Sequence, residues 1–221
     1  MKTKTSILLA AALASLNPGL AFAQAPAECP PKTPLVVGGF DTARGGDFSF
    51  TEGSLFAAAR SLVLSNFPQT AFIGFPALTP ASLGSVDVLV ISPVSGHNAA
   101  TTPLSPDEQV ALLAYVKRGG SVVIFSDNDS YDVTAPQVNE SFLDPFGLDA
   151  GGTLSDTVTA TLDPLSGHPL ARGVFGSVES FTQHYPGALT GLGPYAASLA
   201  QNSLGVALAV IERGTLGPIS G

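Results

Sequence analysis

A chain of 221 residues with 17 acidic against 9 basic side chains carries a formal charge of −8. So few cations cannot release the counterions that drive nucleic-acid binding, nor hold an anionic membrane. The length suits one domain with a sizeable core, and a single cysteine, Cys29, excludes an intrachain disulfide.

The first residues, MKTKTSILLAAALASLNPGLAFAQA, set Lys2 and Lys4 ahead of an apolar run that closes on Ala21 and Ala23. This is the pattern of a secretory signal peptide over 1–23, cleaved after Ala23. The run is too short for a permanent span, and Pro18 interrupts it. The expectation is a secreted or periplasmic protein without membrane insertion after cleavage, whose formal charge becomes −10 once the two signal lysines are lost. Residues 24–33 form a Pro-rich tether carrying Cys29 as an exposed thiol, an intermolecular disulfide being the alternative. AECP lacks the small residues of a lipoprotein box.

The domain proper spans 34–221. PLVVGGF (34–40) is a β-branched run stopped by glycines, the sign of a buried strand, and a polar Gly-rich loop, DTARGGDFSF, follows. Over 51–67, Leu55, Ala59, Leu62 and Asn66 recur at helical spacing before Pro68. TAFIGF (70–75) reads as a second strand and VDVLVIS (86–92) as one buried on both faces. The next helix has the clearest ends. Ser105 is its N-cap, Pro106 opens the first turn and Glu108 completes a capping box; Lys117 and Arg118 meet the negative end of the dipole before Gly119 and Gly120. SVVIF (121–125) is a further strand. It breaks into SDNDSYD, which holds three aspartates and an asparagine.

This alternation predicts an α/β fold, a doubly wound, flavodoxin-like and mainly parallel sheet with helices on both faces and the strands at 34–40, 86–92 and 121–125 central. Ligands of such sheets bind outside the carboxyl ends of the strands. The loops at 41–50, 93–104 and 126–132 leave those ends. Beyond 133 the periodicity weakens. TVTATL (157–162) is the clear strand there, and the chain is expected to return to the sheet through VALAVIE (206–212). The turn-like RGTLGPISG predicts a domain truncated at its C-terminus, with an open sheet edge through which copies could associate.

DVLVISP, SPDEQVALLAYVKRGGSVVIFSDND, SGHPLARGVFG and ALAVIERGTLGPISG together resemble the class I glutamine amidotransferase-like superfamily. More narrowly, they are similar to a secreted branch with the ThuA-like fold. The likeness covers 34–221. It implies an amidotransferase-like α/β domain in which Ser126 stands at the place of the nucleophilic cysteine, while Asp127 and Asn128 stand where small residues would form the oxyanion hole. The one cysteine, Cys29, lies in the tether and not at this position, and no later His-x-Glu pair is present. Glutaminase activity is therefore not expected.

A serine nucleophile at Ser126 would need an imidazole base, and His97 and His168 are the candidates. The G-x-S-x-G elbow is absent, since Phe125 and Asp127 flank the serine. Asp127, Asp129 and Asp132 could offer oxygen ligands to calcium, but an EF-hand register puts Asp132 where glycine is required and Val138 where glutamate is required. Asx-turns and capping explain the same residues, and no metal or cofactor is expected. His184 reads as a strand-end polar residue. GGFDTARGG lacks the lysine and the glycine spacing of a phosphate loop, although Arg44 could hold an anion or a sugar hydroxyl. Asn128 and Asn139 head glycosylation sequons. The expected function is a non-catalytic binding or accessory domain of the cell envelope. Asp41, Arg44, His97, Asn98, Asp127, Asn128 and Asp129 would form a face for a small polar ligand such as a carbohydrate. The alternative is a serine hydrolase using Ser126 with His97 or His168.

Overall fold

The computed structural model describes residues 34–92, 102–130, 133–152, 157–163, 167–173 and 176–217. Its first half alternates strand and helix: β1 (Val36–Phe40), α1 (Thr42–Gly45), α2 (Ala57–Asn66), β2 (Ala71–Phe75), α3 (Pro80–Gly84), β3 (Val88–Ile91), α4 (Pro106–Lys117), β4 (Ser121–Ile124) and α5 (Ala135–Leu143). The four strands form one parallel sheet in the order β2-β1-β3-β4. The strand order reverses between β1 and β3.

Period-two alternation gives this sheet two apolar faces. Leu89, Ile91 and Phe40 face the larger core, which α3, α4 and α5 close with Leu83, Leu112, Tyr115 and Phe142. Val37, Val88 and Val90 face a smaller one, covered by Phe50 and Phe56 at the entry to α2. Phe50 and Phe56 pack 5.3 Å apart, and Phe56 reaches Phe125 at 5.4 Å. The larger core is the thicker one, and the smaller is covered chiefly by the segment that leads into α2.

The ends of α4 form as the residue pattern predicts. Ser105 accepts from the Glu108 amide and Glu108 accepts from the Ser105 amide, closing the capping box. At the other end Gly119 takes φ +91°. Its N–H bonds the Val116 carbonyl at 2.8 Å while the Gly120 N–H bonds that of Tyr115 at 3.0 Å, a Schellman cap that only a glycine-like backbone completes without strain. That cap is the reason for the paired glycines ahead of β4. The helix expected over 51–67 is shorter: 51–56 turn, and α2 begins at Ala57.

The second half departs from expectation. It holds β5 (Asp149–Gly151), β6 (Val158–Leu162), β7 (Arg172–Gly173), β8 (Gly176–Ser177), β9 (Ser180–Gln183), β10 (Ala188–Gly191), β11 (Ala196–Asn202) and β12 (Gly205–Ile211). Six of these form an antiparallel sheet in the order β5-β10-β12-β11-β6-β9, and β7 pairs with β8 alone. The expectation of one mainly parallel sheet is therefore corrected to a parallel sheet of four strands beside an antiparallel sheet of six. VALAVIE does not return to the first sheet. Asn202 accepts from the amides of Leu204 and Gly205 at 2.7 and 3.1 Å, making a turn tight enough for β11 and β12 to pair as a hairpin. As a result β4, expected to be central, lies at an edge with β3 as its neighbour.

Candidate functional site: an acidic loop beside an apolar cleft

The loop after β4 is held from both sides. From α5, the side chain of Asn139 pairs with the backbone of Asp127 as a strand would: Oδ1 accepts from its N–H at 3.2 Å, and Nδ2 donates to its carbonyl at 2.9 Å and to Asp129 Oδ1 at 3.2 Å. Asn128 makes an Asx-turn, its Oδ1 accepting from the Ser130 N–H at 2.9 Å. Its Nδ2 donates to Asp127 Oδ1 at 3.0 Å and to the Tyr185 carbonyl at 2.9 Å. Asn128 and Asn139 are each 1% exposed. Both sequon asparagines are thus closed to a glycosyl donor in the folded chain.

From the second sheet the segment around Tyr185 closes on this loop. Tyr185 takes the left-handed conformation, φ +51°, which costs a non-glycine residue about 1 kcal/mol and here turns its carbonyl onto Asn128. Gly187 lies so close that an added Cβ would meet the Asp127 carbonyl at 2.8 Å and Asn128 Cα at 2.9 Å. The Asp129 N–H bonds the Gly152 carbonyl at 3.2 Å.

The four amides following Ser126 are consequently occupied: Asp127 by Asn139, Asn128 by Asp127 Oδ1 at 2.7 Å, Asp129 by Gly152 and Ser130 by Asn128. Burial raises the Asp127 carboxyl above the ordinary aspartate value, outweighing its two bonds from Asn128. No group of three or more His, Cys, Asp or Glu residues able to hold a metal occurs among the described residues, and Asp132 of the calcium reading lies outside them.

Ser126 is exposed and lines a cleft of about 1080 Å³ between β4 and the second sheet, whose walls include Val122, Phe146, Leu189, Leu208 and Val210. His168 and His184 line the same cleft. His168 Nε2 lies 2.7 Å from Glu212 Oε1, and its Nδ1 accepts from the Leu170 N–H at 3.1 Å. That pairing puts the ring proton on Nε2 and leaves neither nitrogen to accept from a serine hydroxyl. His184 Nδ1 sits 2.8 Å from Thr157 Oγ1. His97 and Asn98 lie outside the described residues.

Asp41 and Arg44 belong to a different corner. Asp41 caps α1, accepting from the Arg44 N–H at 3.1 Å. The Arg44 guanidinium makes a two-pronged ion pair with Glu108, donates to the Pro76 carbonyl at 3.2 Å and stacks 4.1 Å over the Phe40 ring. Burial pushes the Glu108 carboxyl up. Arg44 and the amides of Leu78 and Ser105 more than offset this and hold it at about 2. An open depression of about 1080 Å³ lies over Asp41 and Arg44, and no described residue lines both it and the cleft beside Ser126. Of the residues expected to share one ligand face, Asp41 and Arg44 line one hollow and Asp127 and Asn128 the other. Residue spacing gave no sign of Asn139, Tyr185 and Gly187, which organise the acidic loop; the one available signal was a polar Asn139 set between Val138 and Phe142 on α5.

No protein-family model matches the chain, and a search of curated proteins finds no match. Among solved structures it is similar to a Thermoplasma acidophilum protein provisionally named as part of a GMP synthase, with TM-score 0.48 and 11% identity over 82% of this chain and 80% of that one. It is also similar to a provisionally named ThuA-like protein from Bacteroides uniformis, with TM-score 0.49 and 15% identity over 86% of this chain and 78% of that one.

Proposed function

We propose that this chain is an exported, non-catalytic binding or accessory module of the cell envelope, built on a ThuA-like branch of the amidotransferase-like fold. Its parallel strands run in the order 2-1-3-4 with which flavodoxin-like, doubly wound sheets begin. The observation that carries the reading is the occupation of the amides after Ser126. Acyl transfer needs backbone N–H groups aimed at the developing oxyanion and a base for the hydroxyl. Here the Asp127 and Asn128 amides are bonded to side-chain oxygens, and both nitrogens of His168 are engaged. Hydrolysis at Ser126 would require breaking the network that shapes its own loop.

The test is a fluorophosphonate probe and a panel of nitrophenyl esters offered to the mature protein. The expected outcome is no labelling and no turnover above buffer. Covalent labelling at Ser126 that Ser126→Ala removes would make the chain a serine hydrolase. A thermal-shift screen with mono- and oligosaccharides probes the polar-ligand face at Asp41 and Arg44, since a ligand that binds the native state alone raises the melting temperature.

A further inference from the structure

Three features of the cleft beside β4 point to one kind of occupant, a reading that rests on the binding role proposed above. The first is a strand edge without a second partner strand among the described residues. The Phe125 N–H bonds the Ile91 carbonyl at 3.0 Å, so by the two-residue period of a strand the N–H groups of Val122 and Ile124 face away from β3, toward the cleft. The second is the apolar character of the surrounding walls and of β4 itself. Val122 and Ile124 pack on the larger core and Val123 and Phe125 on the smaller, while all four residues of β4 stay half-buried. The third is charge. Arg213 lies against Gly119 at the start of β4, and Lys117 lines the cleft at the same end. Neither takes part in an ion pair among the described residues, in a chain whose net charge is −8.

We propose that the edge of β4 accepts an extended apolar peptide segment of a partner protein as an added strand, antiparallel to β4, with a carboxylate at its C-terminal end held by Arg213 and Lys117. An aliphatic ligand would fill the apolar volume but leave the outward amides of β4 buried without acceptors, at about 1–3 kcal/mol each. A peptide backbone supplies those acceptors and adds only about 4.8 Å in the hydrogen-bonding direction. A second copy would bring its β4 with β3 and the covering helices attached, far thicker than a lone strand, and it would carry the same net negative charge. The direction follows from the charges, since the cations stand where β4 begins.

The test uses the mature protein and a fluorescent hexapeptide alternating valine and threonine with a C-terminal aspartate, followed by anisotropy and by amide exchange. Saturable binding that slows exchange at Val122 and Ile124, and that is lost when alternate peptide nitrogens are methylated, is expected. Arg213→Glu, a change at an exposed side chain, should weaken binding about tenfold, equivalent to about 1.4 kcal/mol. Amidating the peptide's terminal carboxyl, with the aspartate side chain retained, tells which carboxylate the cations take; equal loss in either single neutralised peptide supports a shared contact. Equal affinity of the methylated peptide, unchanged exchange at β4, or binding of dodecanoate in place of the peptide would overturn the proposal. So would a dimer, seen by sedimentation, that protects the same amides. These outcomes leave the fluorophosphonate result untouched, so failure of the strand site and failure of the non-catalytic reading are separable.

Discussion

Glu108 and Asp127 are both carboxylates drawn into the protein at the carboxyl end of the parallel sheet, and they are stabilised in opposite ways. Glu108 faces a guanidinium and two backbone amides, which overcome its burial and lower its pKa to about 2. Asp127 has two bonds from Asn128, both neutral, so burial prevails and its pKa rises. One corner is fastened by charge. The other is fastened by amides, with the charge tolerated, and that difference decides how each should respond to mutation and to acid.

The largest effect is expected at the charged corner. Arg44→Ala strips Glu108 of its cation and Phe40 of its stacked guanidinium, and should cost about 3 kcal/mol, lowering the melting temperature by roughly 10 °C. Asn139→Ala should cost about 2 kcal/mol, because the Asp127 N–H and carbonyl lose their partners inside the protein. If Asn139→Ala proved harmless in a denaturant titration while Arg44→Ala did not, the amide-held corner would not be the structural element described here.

Acid separates the two carboxylates by sign. Glu108 has a folded pKa below its ordinary value of 4.5, so its contribution is complete above that value and is lost as pH falls toward about 2. Asp127 has a folded pKa above 3.8, so its ionised form is a burden at neutral pH that lifts as pH falls through the folded value. Asp127→Asn should therefore stabilise by about 1 kcal/mol at pH 7, and the gain should shrink on acidification. Melting temperatures measured from pH 7 down to pH 3 test both signs. A variant less stable than the parent at pH 7 would mean that the carboxylate has a partner the network does not include.

How much of this was legible in the sequence follows from how local each signal is. The ends of α4 could be read because the capping box and the glycine cap are each written within a few residues, Ser105 to Glu108 and Tyr115 to Gly120. β1 and β3 could be read from their apolar runs. The antiparallel sheet was obscured because β11 is largely alanine and polar residues, and because two-residue strands such as β7 leave no period to detect. α5 begins at Ala135, its N-cap Thr134 makes no side-chain capping bond, and it buries Asn139 and Ser141 among apolar neighbours, which breaks the stripe that would announce it. The acidic loop was correctly suspected of Asx-turns from its composition. Its main anchors lie 12 residues away at Asn139 and 57 away at Tyr185, distances over which spacing carries no information.

The smallest effect is expected at Ser126, exposed at the rim of the cleft, where Ser126→Ala should change stability by no more than about 0.5 kcal/mol. Hydrogen exchange at the amides of Asp127 to Ser130, read residue by residue by NMR, probes the occupied N–H groups themselves. These four amides should exchange far more slowly than an open loop, and protection at Asp127 should fall in Asn139→Ala while that of Ser130 persists. Exchange of the Asp127 and Asn128 amides at the rate of an unstructured peptide would refute the occupied loop, leaving those groups available beside Ser126 to meet an oxyanion.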